Sequence, residues 1–416
     1  MSNHPFVPLR HRAVRLLWSA AVISDIGTWV QLIVVGSLVA SGTGSAVQTG
    51  LVALATFMPQ GIASPLGGLL ADRYDRRKVF ASALLMQAFF TTALAVVLGA
   101  GVRTPLVLTA LILMSSAAGA TGAPSYAAMQ PDLVPPDELM QMVSLGVYSW
   151  NSGRVVGPLL GSVMVLAVGP AWTIGFNAFS FVVMALAVTL VRRPFRPHGA
   201  AGTVRERLVG GMRAMRSTPG CWHALVMLAL FNFSIVPFMG LIPIYVSAGY
   251  DGGTTLTGVV ASAQGIGAII GGILATMLAV RYGRSTLVGW VAIGIGIALA
   301  AYALAPNEAW LIAIAAVLGG GWSSMFIALS AVIQRDAPPA SRGRVMSLMQ
   351  ATLGISYGSG LLFIGAIGDA VNMHVAFGVG ATVGMVGFAL LTLRARNWRA
   401  ALDGTEREPQ ADLVTC

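Results

Sequence analysis

Charge is what this chain has least of. Only 10% of its 416 residues are Asp, Glu, Lys or Arg, against roughly 25% in soluble domains. A water-soluble globule of this size could not cover its surface with so few. Lysine is nearly absent: Lys78 stands alone beside 24 arginines. Two cysteines, Cys221 and Cys416, are too few and too far apart for a disulfide framework. The five histidines (His4, His11, His198, His223 and His374) lie in loops or near span ends without metal-ligand spacing. Neither a phosphate-cradling glycine loop nor a Ser–His–Asp set is present. Enzyme chemistry, a resident metal and a cofactor are therefore not expected.

In their place stand apolar residues and glycine. Hydrophobic residues make up 56% of the chain, the mean hydropathy is +0.79, and 50 residues are glycine, well above the usual share of about 7%. Glycine without a collagen period, on so apolar a background, points to closely packed membrane helices. The net charge of +10 and pI near 10.4 would suit nucleic acid only if the arginines formed a contiguous soluble patch. They are confined to short stretches between apolar runs, so no nucleic-acid partner is expected and the lipid bilayer is.

Runs long enough to cross about 30 Å of hydrocarbon fall near 16–40, 46–70, 79–101, 105–127, 142–167, 171–191, 221–247, 254–280, 286–305, 309–334, 345–368 and 375–393. The first lacks a small-residue cleavage site and is too long for a signal peptide, so it reads as a membrane helix. With these twelve spans, 23 of the 25 basic residues fall on one side. Arg103 lies alone on the other and Arg154 inside span 5. By the positive-inside rule both termini are cytoplasmic. The halves repeat: RYDR at Arg73–Arg76 recurs as RYGR at Arg281–Arg284, and the loop after Gln130 recurs after Gln334. The expected fold is thus all-α and integral to the membrane, twelve helices in two pseudo-symmetric six-helix halves. The halves occupy 1–191 and 221–394, joined by a linker at 192–220 and followed by a tail at 395–416. Two parallel repeats place a substrate site between them near mid-depth. In the linker, Val204, Leu208, Met212 and Met215 form an apolar stripe among arginines, fitting either a helix on the lipid surface or a solvated tether.

GGLLADRYDRRKV, from Gly67 to Val79, resembles the loop signature between spans 2 and 3 of the major facilitator superfamily. Gly68, Asp72, Arg73, Arg76 and Arg77 match. Asp75 replaces a glycine, a mild change if that position is left-handed, since Asp tolerates such a conformation. The resemblance implies a conformational latch in which Asp72 caps a helix of the opposite half in the outward-open state. The arginines could equally serve topology alone. In span 5, Gly153, Gly157, Pro158 and Gly161 resemble a pattern the superfamily shows mainly in proton-linked exporters, with Ser162 replacing its last glycine. Ordinary close packing would use the same small residues. Within the superfamily the chain is most similar to the enterobactin-exporter and macrolide-efflux group, through FVPLRHRAVRLLW, DIGTWVQ and PDLVPPDEL. It departs from that group in span 4, where Leu111 to Thr121 holds no basic residue and Pro124 is followed by Ser125 and Tyr126.

One acidic residue lies deep in a span. Asp25 is nine residues beyond Leu16, about 13–14 Å along the helix. A carboxylate there costs several kcal/mol unless paired, hydrated or protonated, which makes it a candidate proton or cation carrier. A fixed ion pair or a watery vestibule is the alternative, and Arg154 is either its partner or a contact for an anionic substrate. Ser24, Thr28 and Gln31 form a polar stripe beside it, expected to line a cavity. Trp29, Tyr126, Asn232, Phe233, Gln264, Ser324 and Tyr357 are further cavity candidates. The resemblance implies a monomeric secondary exporter in a bacterial inner membrane, exchanging protons for a siderophore or drug-like molecule. An importer or uniporter on the same fold, or a transport-inactive scaffold or sensor, would leave the same apolar pattern.

Overall fold

The computed structural model describes residues 4, 6–191, 204–250, 252–338, 341–394 and 398–404, and most of these residues are helical, with no strands among them. The first half comprises α1 (Arg12–Thr43), α2 (Ala46–Arg73), α3 (Arg76–Gly99), α4 (Pro105–Met129) and α5 (Leu139–Leu190). α5 supplies two crossings, because Gly169 has φ 80° and ψ 168° and breaks it ahead of Pro170. Only glycine adopts that backbone readily, and proline removes the next amide donor. The linker carries α6 (Val204–Arg216). The second half comprises α7 (Pro219–Ser234), α8 (Pro237–Gly249), α9 (Gly253–Tyr282), α10 (Arg284–Ala303), α11 (Glu308–Asp336), α12 (Arg342–Ala370) and α13 (Met373–Arg394), and the short α14 (Trp398–Asp403) follows. α7 and α8 together form one crossing interrupted at Pro237. Among the described residues twelve crossings result, matching the twelve apolar runs.

The halves meet along two equivalent seams, α2 against α12 and α5 against α9, with α1 also touching α8. Span 2 meets span 11 and span 5 meets span 8, pairs that a twofold exchange of halves converts into one another. Glycines set how closely these helices approach. On α5, a Cβ at Gly157 would stand 2.6 Å from the Trp29 Cβ and 2.9 Å from the Ile26 carbonyl of α1, and one at Gly153 would stand 2.7 Å from the Asp25 carbonyl carbon. Gly265 of α9 comes equally close to the Arg154 carbonyl from the other half, at 2.9 Å. α5 is therefore clamped between α1 and α9.

The loop after α2 is braced within its own half. Arg76 Nη1 donates to the Ala128 carbonyl at 3.0 Å and lies 3.8 Å from Asp132, while Arg77 Nη1 donates to the Val191 carbonyl at 3.1 Å. Asp75 does not take up the left-handed conformation expected of a glycine replacement. Its φ is −57°, and its carboxylate caps α3 by accepting from the Arg77 and Lys78 amides. A carboxylate at a helix N-terminus satisfies free N–H groups and the helix dipole together. In the linker, the side chains of 204–208 lie outside the described set, so the outer part of the apolar stripe does too. Met215 is buried, and Gly211 packs on the Arg344 carbonyl of α12. The tail is docked by Asp403, which accepts from Ser285 N at 2.9 Å and Oγ at 2.6 Å at the start of α10.

Because no side chain fits at Gly157, Gly157→Ala is expected to destabilise the fold by about 1–3 kcal/mol. Gly175→Ala, where a Cβ meets open space, should be neutral or slightly stabilising in mid-helix. Thermal unfolding of both variants in detergent checks this, and equal midpoints would count against the clamp.

Candidate functional site

A cavity of about 610 Å³ lies between the halves, a volume typical of sites for drug-sized ligands. It extends from mid-depth toward the side where α1 begins and α13 ends, which carries the first and last described residues and is the termini side in this sense. On α1 its walls are Ala21 to Trp29, on α5 Gly146 to Arg154, and on α12 Gln350 to Tyr357, each on the termini-proximal part of its helix. Beyond it, on the far side, the two seams close. The walls are aromatic. Trp29 meets Trp150 edge-on with ring centres 5.5 Å apart, Phe57 meets Tyr357 at 5.9 Å, and Trp322 lies parallel to Phe326 at 5.6 Å. Tyr126 stacks on Phe80 at 5.0 Å.

Among the described residues one acidic and one basic side chain, Asp25 and Arg154, face this space, and they form no ion pair with each other. Asp25 accepts a hydrogen bond from the Ser149 hydroxyl of α5. Arg154 is buried and points across to the second half. Its Nε donates to Gln264 Oε1 at 3.2 Å, and its guanidinium carbon lies 4.3 Å from the Trp322 ring centre and 6.0 Å from that of Trp29. Aromatic faces carry negative charge density and attract a desolvated cation by about 2 kcal/mol or more. A buried arginine thus finds its compensation in ring faces and an amide oxygen. The backbones explain the divergence: with Gly153 pressed on the Asp25 carbonyl, Arg154 is directed away from α1 toward α9 and α11.

Of the expected cavity residues, Ser24, Thr28, Trp29, Tyr126, Asn232 and Tyr357 lie on the wall, together with Asp25 and Arg154. Thr28 returns its hydroxyl to the Ser24 carbonyl at 3.0 Å, and Asn232 Nδ2 donates to the Leu228 carbonyl at 2.9 Å. Four others lie off the wall. Gln31 continues the polar stripe two turns above Ser24, but there α1 leans on the second arm of α5 and its Oε1 accepts from Asn177 Nδ2 at 2.9 Å. Phe233 stacks on Phe363 at 5.3 Å between α7 and α12. It is one residue from Asn232, a turn of about 100°, and that turn carries its ring onto α12 while Asn232 stays on the wall. Ser324 is absorbed by the α9–α11 contact, its hydroxyl donating to the Gly271 carbonyl at 2.9 Å. Gln264 reaches the site only through Arg154.

The small residues of span 5 lie on the packing faces of α5 rather than on the wall. Gly153, Gly157 and Gly161 face α1. The Ser162 hydroxyl donates to the Pro158 carbonyl at 2.9 Å and reaches the Thr254 carbonyl of α9 at 2.8 Å. Gly68, Asp72 and Arg73 lie in the last turns of α2 on the termini side, where Arg73 sits 6.0 Å from the Tyr74 ring centre. Ser149, Trp150, Trp322 and Phe326 were not anticipated. Ser149 is one helical turn before Gly153, which packs on Asp25, and that spacing would have found it. Nothing in the sequence pairs Trp322 with Arg154.

A profile of the transmembrane secretion effector family matches residues 3–414. Macrolide efflux protein A of Streptococcus pyogenes is 23% identical over 374 residues, covering 88% of this chain and 92% of that protein. The multidrug efflux pump Tap of Mycobacterium tuberculosis is 25% identical over 413 residues, covering 96% of each. Among solved structures, the nucleoside transporter NupG superposes with a TM-score of 0.71 at 15% identity, over 94% of this chain and 99% of that one.

The cage predicts a coupling energy. Trp322→Leu leaves the guanidinium buried without its ring and should lower stability by about 2 kcal/mol. In an Arg154→Met background the same change should cost about 1–2 kcal/mol less. A double-mutant cycle on unfolding midpoints reads the difference, and strictly additive effects would mean the ring does nothing for the cation.

Proposed function

Because the chain belongs to the transmembrane secretion effector family of the major facilitator superfamily, we propose that it is a proton-coupled exporter of amphipathic, drug-like molecules. Both termini face the cytoplasm of a bacterium in this reading, and the cavity opens inward. The observation that carries it is the pairing of an aromatic cavity of about 610 Å³ with one carboxyl group at its edge. Such walls suit a bulky apolar body by stacking and area burial, while Gln60, Gln87, Asn232 and Gln350 offer its polar groups contacts. The names of the efflux relatives point the same way. A siderophore is the other substrate the cavity could accommodate.

In this mechanism Asp25 carries the proton. Among the described residues its one hydrogen-bonding side chain is Ser149, and no cation there locks it in the charged form. Protonation removes the cost of holding a carboxylate at that depth as the cavity closes and loses water. Arg154 acts separately, as a cation of the first half held by Gln264 and Trp322 of the second. The halves then rock about the α5–α9 and α2–α12 seams to expose the site to the other side. In the outward-open state Asp72, with Gly68 and Arg73 around it, engages the second half, while Arg76 and Arg77 keep the loop braced.

Everted vesicles test this. Wild-type protein should dissipate an imposed pH gradient when challenged with a lipophilic drug, and Asp25→Asn should abolish the response. Ser149→Ala should change its size while leaving it present. A response of equal size in Asp25→Asn removes the proton role, and a response to catecholate siderophores alone replaces the substrate class.

A further inference from the structure

On the side away from the termini, the start of α2 is completed by a residue from the other half of the molecule. The first turn of any helix leaves N–H groups without intrahelical acceptors. Ser45 accounts for one of them, its hydroxyl oxygen accepting from the Gln48 amide at 3.2 Å. The Ala46 and Val47 amides donate instead to the two carboxylate oxygens of Asp369, at 2.5 and 3.2 Å. Ser45 Oγ donates to the same carboxylate at 2.7 Å. Asp369 sits in the last turn of α12, in the second half.

We propose that Asp369 is the residue that holds this side of the transporter shut, as a carboxylate latch from one half that caps a helix of the other. The proposal rests on the alternating-access reading above. Three features support a gate over simple packing. All three bonds cross between halves, so parting the halves breaks them together, whereas the Ser45 cap lies within one half and survives. The contact stands at the water-facing rim, where Asp369 is exposed. Carboxylate and amides can therefore rehydrate on opening, and the closed state gains only a modest, reversible advantage. Beneath it the seam is backbone-close, with Gly365 against Ala46 and Gly50 against Leu361, so loss of the rim contact is transmitted along both helices. α2 also bears Asp72 near its far end. One helix then receives a cap from the second half in the inward state and offers a carboxylate to that half in the outward state.

The test reads conformation alone. Spin labels at Ser41 and Val371, exposed positions in opposite halves, report the opening of this side in the full chain with Cys221 and Cys416 replaced by serine. The protein is in detergent, without substrate or gradient. Wild type should show mainly one short distance. Asp369→Ala should raise the long-distance population roughly tenfold, the effect expected for losing a charged cap. Asp369→Asn, which keeps an acceptor oxygen, should raise it less, and it carries the test alone if the alanine variant does not fold. Distance distributions unchanged from wild type overturn the latch. Since transport is not measured, that result leaves the proton-exchange reading intact, and an inactive Asp25 leaves the latch intact.

Discussion

The close approach of α5 to α1 on one side and to α9 on the other is the contact on which the rest of the structure depends. Between helices in a bilayer there is no hydrophobic driving force, because lipid tails are as apolar as leucine. Association must come from van der Waals contact at short range, and glycine permits that range. Gly153 and Gly157 bring the α5 backbone against that of α1, and Gly258 and Gly265 of α9 close on its opposite side. These contacts place Ser149 beside Asp25 and turn Arg154 toward the second half. The chemistry of the cavity is thus a consequence of where the side chains are missing.

The two charges at depth are handled in different ways. An ion pair between them would have satisfied both and immobilised both. Instead Arg154 is compensated by Trp322 and Gln264 across the interface, and Asp25 keeps a neutral hydroxyl partner. The arginine thereby becomes a tie between halves, and the carboxyl group stays open to a change of charge. At the rim a third arrangement appears: Asp369 spends its charge on helix amides, where water can replace it. Depth decides which solution is affordable.

One strip of the cavity wall was legible because a helix has a fixed period. Ser24, Asp25 and Thr28 share a face, and the structure puts all three on the wall. The same period misled at Gln31, which shares that face but lies where α1 is covered by the second arm of α5. Phe233 and Ser324 failed for a related reason: rotation about a helix axis is set by neighbours, and α12 and α9 claim those side chains. Asp75 shows that a residue standing where a glycine is usual need not copy its backbone, since a carboxylate has a use of its own at the start of α3.

By itself the sequence determined the solvent, the number of crossings and the division into halves. Those follow from additive local quantities: the length of apolar runs, the placement of arginines between them, and motifs repeated in corresponding loops. Only the tertiary structure decided that Asp25 and Arg154 stay apart, that Trp322 rather than Ser324 faces the cavity, and that Asp369 completes α2. Each of these depends on the rotation and distance of helices far apart in the chain. Such geometry is set by close packing of glycine-bearing surfaces, which no single segment encodes.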